Sequence, residues 1–308
     1  MRELVIAARS SPLSRWQART VADALEKSHP GLRVRIDYFT TIGDRRLDSP
    51  LSGIGDKGLF TKELETALLD RRADIAVHSL KDVQTSLHEA LVLAAVTRRE
   101  HVEDALVAPP GTTLDTLPEG ATVATGSLRR RAQLLAIRRD LKVVDVRGNL
   151  GTRLSKYENH GWGGMILARA GLERLGLADR IAEVLPPDRM VPAVGQGALA
   201  IESRADDDDT LRLLETIQDG DTRLATDAER SFLRRLEGGC QAPIGAWGRV
   251  VDGDLTLDGV IAGLDGEQIV RGRITSHANV GSGVELAERL LAEGGSRILA
   301  GIRQKEEQ

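Results

Sequence analysis

Short apolar runs alternate with helical repeats along the first two thirds of the chain. That alternation restricts it to a parallel or mixed sheet with helices on both faces. Leu4–Ala8 is an apolar run ending in Arg9-Ser10-Ser11-Pro12, where a serine can cap a helix and Pro12 can take its first position. Leu13, Trp16, Thr20, Val21 and Leu25 then recur at helical spacing until His29-Pro30-Gly31 stops the pattern. Val34–Phe39 reads as a strand, and the glycine-rich loop Gly53–Gly58 precedes a helix expected from Leu59 to about Arg71. Asp74–His78 is a buried strand leading into Ser79-Leu80-Lys81-Asp82, and Leu91–Val96 is another. After the charged stretch Arg98–Asp104 the same grammar restarts. Strands are expected at Ala121–Ala124, Val143–Val146 and Met165–Ala168, and helices at Leu128–Arg139, Leu150–Tyr157 and Leu172–Val184. Pro186-Pro187 and Pro192–Gly197 break the pattern before a further strand, Ala198–Glu202.

The remainder follows a different order. Helical patterns at Thr210–Ile217 and Thr222–Leu236 precede strands at Ile244–Val251, Leu255–Ile261 and Gln268–Ile274, and a last helix spans Val284 to Ile302. Strands grouped together and then covered by helices describe a small α+β domain. At 308 residues the chain has material for more than one core, and 41% hydrophobic with 29% charged residues is ordinary for a soluble globular protein. A net charge of −4 gives no general affinity for nucleic acid or membranes, and no apolar run is long enough to span a bilayer. The first strand begins almost at Met1, so no signal peptide is expected. One cysteine fits a reducing cytoplasm.

Ligands bind such sheets at the carboxyl ends of the strands, and here those positions carry arginine and small polar residues. Arg9, Ser10 and Ser11 follow the first strand, and Ser79, Lys81 and Asp82 follow Asp74–His78. Thr125 to Arg131 follow Ala121–Ala124, while Arg147, Gly148 and Asn149 follow Val143–Val146, with Thr152 and Arg153 beyond. Helix N-termini add free N–H groups and a positive dipole end. The sum is a cleft made for several anionic groups. No Walker-type loop is present, so carboxylates suit it better than a nucleotide. Asp82 is either an N-cap or an ionised carboxylate that stabilises a cation among these arginines, and His78 reads as a satisfied core histidine. Cys240 cannot form an internal disulfide, and one ligand is too few for a zinc site, so no metal is expected. Two glycines before it and Pro243 after it turn the backbone. From the residue alone, an unreactive thiol and a covalent attachment point both remain open.

Longer segments carry a resemblance. Arg9–Gln17 (RSSPLSRWQ), Gly58–Glu65 (GLFTKELE), Ala73–Val83 (ADIAVHSLKDV) and Gly126–Arg130 (GSLRR) are followed by Arg147–Lys156 (RGNLGTRLSK), Pro192–Leu199 (PAVGQGAL) and Leu236–Gly245 (LEGGCQAPIG). In these segments, and in their order along nearly the whole chain, the protein resembles the porphobilinogen deaminase family. The resemblance implies an α/β fold with two lobes of the type II periplasmic-binding-protein kind and a small C-terminal α+β domain. The first lobe would comprise 1–97 and 198–217, the second 98–197 with the hinge segments, and the third domain 218–308. It also implies a cytoplasmic, monomeric transferase of tetrapyrrole (haem) biosynthesis. Porphobilinogen would be joined head to tail, with loss of ammonia, on a dipyrromethane cofactor held by Cys240 as a thioether, and hydroxymethylbilane would be released by hydrolysis.

By position, Asp82 matches the family's catalytic aspartate. Lys81, Ser127, Arg129, Arg130 and Arg153 match groups that hold cofactor carboxylates, and Arg9, Ser11, Gln17, Arg147 and Arg174 match residues tied to substrate or chain elongation. Gln196 matches a hinge position and Lys57 a mobile loop. Gly53, Gln84, Gly126 and Arg169 depart from common family residues. Gly126 removes one hydroxyl, and Arg169 is read as a charge in an apolar strand. Two other classes share parts of these features. A two-lobed anion-binding protein or effector domain would need no thiol, and a cysteine hydrolase would need a base near Cys240.

Overall fold

A computed structural model describes residues 3–41, 61–237 and 242–306. These divide into two compact units, one of 3–41, 61–100 and 197–223, the other of 101–196, 224–237 and 242–306. In the first unit β1 (Glu3–Arg9), β2 (Arg33–Phe39), β3 (Ile75–Ser79), β4 (Leu91–Val96) and β10 (Leu199–Arg204) form a five-stranded sheet of order β2-β1-β3-β10-β4. β1 runs parallel to β2 and β3, whereas β10 is antiparallel to β3 and β4. Alternation along the strands decides what covers each face. Leu4, Ile6 and Ala8 meet Ala18, Val21, Ala22 and Leu25 of α1 (Pro12–Ser28), while Ala7 and Ala76 on the other face meet Leu64, Ala67 and Leu68 of α2 (Lys62–Leu69). Each fully buried Leu, Ile or Val contributes about 1.5–3 kcal/mol.

The second unit repeats that arrangement strand for strand. β5 (Asp104–Val107), β6 (Thr122–Ala124), β7 (Lys142–Val144), β8 (Gly164–Ala168) and β9 (Ile181–Leu185) are ordered β7-β6-β8-β5-β9, with β6 parallel to β7 and β8, and β5 antiparallel to β8 and β9. In both sheets the antiparallel strand is the one added when the chain arrives from the other unit. No tandem repeat is visible in the sequence because the likeness lies in topology, not in residues. Helices α3 (Leu128–Ile137), α4 (Leu150–His160) and α5 (Arg169–Arg174) follow β6, β7 and β8.

The chain then forms α6 (Asp208–Leu214) and α7 (Gly220–Arg235), followed by an antiparallel sheet β11 (Ile244–Val251), β12 (Asp254–Ala262) and β13 (Ile269–His277). With α8 (Ser282–Leu290) and α9 (Ser296–Glu306) this sheet encloses Phe232, Leu257, Ile261, Leu286 and Leu290. Fully buried Glu229 on α7 ties this sheet to the segment before β10, accepting from Gly195 N and Gly248 N at 2.6 Å each. Two sheet-and-helix lobes and a small C-terminal sheet domain are thus present, in the expected fold class.

Several local expectations are corrected. Leu172–Val184 is not one helix. α5 ends at Arg174, Gly176 turns the chain with φ +68°, and Ile181–Leu185 is a strand because its backbone pairs with β5. β5 itself is missed by sequence, since it is four residues long and starts on a charge. Arg169 does not lie in the apolar strand; it opens α5 and pairs with Glu173 at 2.8 Å and Glu103 at 3.4 Å. The last helix divides at a wide turn, Leu291–Gly295. The expected start of α2 at Leu59 and the loop Gly53–Gly58 lie outside the described residues.

Candidate active site

In the first unit the parallel strands β1 and β3 deliver Arg9–Ser11 and Ser79–Asp82 to the same edge of the sheet. Ser11 caps α1 by accepting from Ser14 N at 3.3 Å, with Pro12 in the first turn, so the helix N-terminus is fixed at that edge. Gln17, one turn further along α1, is buried and donates from Nε2 to Ser79 Oγ at 2.8 Å. That bond holds the end of β3 against the helix. Leu80–Asp82 then forms a single 3-10 turn with Leu80 buried, Lys81 half-buried and Asp82 exposed. Asp82 is therefore not an N-cap. Its carboxylate is presented at a pocket also lined by Arg9, Ser11, Gln17, His78 and Ser79.

In the second unit the carboxyl ends of β6 and β7 lead into two capped helix N-termini. Ser127 caps α3 by accepting from Arg130 N at 3.4 Å, and Asn149 caps α4 by accepting from Thr152 N at 2.9 Å. Arg147 donates from Nε to Asp145 at 3.0 Å and Arg153 from Nε to Gly148 O at 2.8 Å, both half-buried beside those caps. Arg174 is buried on α5. Gly126 is more than a lost hydroxyl, because a Cβ there would stand 2.6 Å from Val146 O.

Arg129 and Arg130 are not presented like the others. Both are buried on α3 and converge on Asp104, which is fully buried at the start of β5. Arg130 donates from Nε and Nη2 to Asp104 Oδ1 at 3.0 and 2.7 Å, and Arg129 from Nη2 to Oδ2 at 2.7 Å. Gln196 donates to the same Oδ1 at 2.8 Å and to Val102 O at 2.7 Å. Burial pushes the Asp104 carboxyl up, but the two guanidiniums and the hydrogen bonds from Arg130 and Gln196 outweigh it and hold the group well below the usual carboxylate range. Burial lowers the Arg129 guanidinium, against the opposing pull of Asp104. Two cations share one anion here, and Arg129 Nε is buried without a partner among the described residues.

Sequence reasoning missed Asp104, whose only signal was an acid opening an apolar run. It also missed Glu202, whose carboxyl side chain is fully buried in β10. His78 is buried as expected, with Nε2 at 3.2 Å from Glu202, but without a well-aligned hydrogen bond among the described residues. Cys240 and Lys57 lie outside the described residues. Among the described residues no helix is long and apolar enough to cross a membrane.

Comparison with known proteins completes the description. Residues 4–212 match the family model "Porphobilinogen deaminase, dipyromethane cofactor binding domain", and residues 224–292 match "Porphobilinogen deaminase, C-terminal domain". A porphobilinogen deaminase of Pelotomaculum thermopropionicum is 50% identical over 307 residues, covering 99% of this chain and 98% of the relative. Those of Roseiflexus sp. and Chlorobaculum tepidum are 49% and 46% identical, covering 97% and 98% of this chain and 99% of each relative. Among solved structures, a putative methionine-binding lipoprotein of Bacillus subtilis aligns with a TM-score of 0.42 at 16% identity, covering 71% of this chain and 91% of its own. The chain belongs to the porphobilinogen deaminase family.

Proposed function

We propose that this protein is a transferase that joins porphobilinogen units head to tail, with loss of ammonia, on a dipyrromethane carried by Cys240, and then releases hydroxymethylbilane by hydrolysis. The observation that carries this reading is the delivery of anion-binding groups to the carboxyl edges of both sheets, with one exposed carboxylate, Asp82, beside Lys81 and Arg9. The residues suit a dipyrrole bearing acetate and propionate groups. They supply guanidiniums, capped helix N-termini and, at Arg129 and Arg130, two buried cations on one carboxylate with a donor to spare. When bound, the dipyrromethane would supply the free pyrrole carbon to which the first unit is joined, each later unit being joined to the end of the growing chain.

The chain's own groups divide the remaining work. Asp82 stabilises the positive charge that develops on the substrate pyrrole as ammonia leaves, because an anion fixed by a short turn needs no reorganisation at that moment. Gln17 and Ser79 keep that turn in place through their hydrogen bond. Arg9, Ser11 and Lys81 in the first unit bind carboxylates, as do Ser127, Arg147 and Arg153 at the helix caps of the second, with Arg174 supporting chain elongation. Arg129 and Arg130 meet the cofactor from the rigid cluster around Asp104, whose contact with Gln196 fixes the adjoining hinge segment. Incubation with porphobilinogen tests the reading. One ammonia per pyrrole incorporated, together with a linear tetrapyrrole product, is expected; no tetrapyrrole from folded, primed protein would refute it.

A further inference from the structure

Thr61 stands where a helix cap belongs and does not cap. It directly precedes α2, and its carbonyl oxygen accepts from Leu64 N at 2.9 Å and Glu65 N at 2.8 Å. Threonine is favoured at such positions because its hydroxyl can accept from a free N–H of the first turn. Here the backbone lies in the right-handed helical region, with φ −116° and ψ −27°, and the hydroxyl makes no cap bond. The residue is only 1% exposed, and among the described residues Oγ1 has no hydrogen-bond partner. Burying an unpaired hydroxyl destabilises a fold, so the helix gains nothing from this one.

Thr61 lines the pocket at the carboxyl edge of the first sheet, together with Arg9, Ser11, Gln17 and Asp82. The other hydroxyls of that lining are engaged by the protein. Ser11 accepts from Ser14 N at 3.3 Å, Ser14 from Arg9 N at 3.0 Å and Ser79 from Gln17 at 2.8 Å. Strand alternation decides which charge Thr61 accompanies. Ala7 faces α2, so Arg9, two residues further along β1, emerges on that same face; Phe39, opposite Arg9 on β2, packs against the same cluster. Ser11 and Gln17 belong to α1 on the other face, and Asp82 to the turn beyond β3. A substrate ammonium is drawn to Asp82 and repelled by Arg9, and a carboxylate takes the opposite place. The hydroxyl of Thr61 is therefore on the carboxylate's flank.

We propose that Thr61 Oγ1 donates a hydrogen bond to a carboxylate of the incoming pyrrole, alongside Arg9. The substrate supplies the acceptor that the fold withholds. A buried donor of this kind discriminates, because a ring without the carboxylate leaves it unpaired. Thr61 is a binding and selectivity residue; the ammonia leaves at the Asp82 end of the pocket. The inference rests on the deaminase reading, which provides a substrate with acetate and propionate arms.

The test compares wild type with Thr61→Val, which keeps the shape without the hydroxyl, and Thr61→Ser, which keeps the hydroxyl. Without ligand, Thr61→Val should melt no lower than wild type, since a methyl replaces an unpaired hydroxyl. A lower melting temperature would assign the hydroxyl to the fold and overturn the proposal. The binding probe is a pyrrole with the acetate and propionate arms but a methyl in place of the aminomethyl group, so that no ammonia can leave. Calorimetry should show Thr61→Val binding it about 10- to 100-fold more weakly, the scale of one hydrogen bond to a charged acceptor, and Thr61→Ser within about threefold of wild type. Removing the acetate and the propionate carboxylate from the probe in turn should abolish the difference in one case. A difference that survives both removals would overturn the proposal, as would equal affinity of Thr61→Val and wild type for the intact probe, or a wild type that does not bind it. With porphobilinogen, native mass spectra of Thr61→Val should show every addition slowed from the first. Normal early additions with a stall at one length would place the contact on the growing chain instead and overturn it. Wild type that binds the probe but releases no ammonia from porphobilinogen would sink the deaminase reading and leave the carboxylate contact standing.

Discussion

Replacing Asp104 by alanine should uncover two buried cations at once. The carboxylate accepts from Arg129, Arg130 and Gln196, and the two arginine side chains are only 5% and 7% exposed. Removing one partner from a buried ion cluster costs about 3–5 kcal/mol, chiefly through the charges left behind. For a unit of this size about 2–4 °C of melting temperature corresponds to each kcal/mol, so a loss of roughly 6–20 °C is expected. Calorimetry resolving separate transitions is the suitable assay, since two units need not unfold together. Adding Arg129→Met and Arg130→Met to the variant should make it less destabilised, because no buried charge then lacks a partner. The acid side gives an independent check. The folded-state pKa of Asp104 is depressed, so its contribution is complete above the unfolded value of about 3.9 and fades as pH falls through and below that value. The gap between wild type and variant should therefore narrow below about pH 4. An alanine variant melting within about 2 °C of wild type at pH 7, at most about one kcal/mol on this scale, would refute the reasoning.

Asp82→Ala should keep its fold, since the side chain is exposed at the end of a single turn, yet lose several kcal/mol of transition-state stabilisation. A kcat above about a tenth of wild type would contradict a role worth even about 1.4 kcal/mol. Arg147→Ala should remain primed but stall with partly extended chains, and Arg147→Lys should not fully rescue it, because a point charge cannot reproduce the planar fork. Native mass spectra after mixing with porphobilinogen would display the ladder; normal elongation in the alanine variant would remove Arg147 from the substrate set.

Much of the fold was legible because burial leaves a period in the residues. Leu4, Ile6 and Ala8 alternate with Val5 and Ala7, and Ser11-Pro12 marks where α1 begins. Legibility failed where tertiary pairing overrode local pattern. Ile181–Leu185 continues a helical-looking run, but β5 recruits it as an edge strand, and β5 is too short to announce itself. The site was legible as a set of strand-end residues, since arginines and small polar residues after strands have a generic chemical meaning. Their partners were not. That Arg129 and Arg130 turn inward to Asp104 depends on a strand many residues earlier in the chain, and Glu202 meets His78 only through the register of β3 and β10.

The central claim is that this chain builds tetrapyrrole on a primer it carries covalently. Intact mass of the purified protein, followed by peptide mapping, tests it most directly. The account predicts an excess of one dipyrromethane on the peptide containing Cys240, missing from Cys240→Ser. An active preparation with unmodified mass, or an adduct that survives the Cys240→Ser substitution, would contradict it.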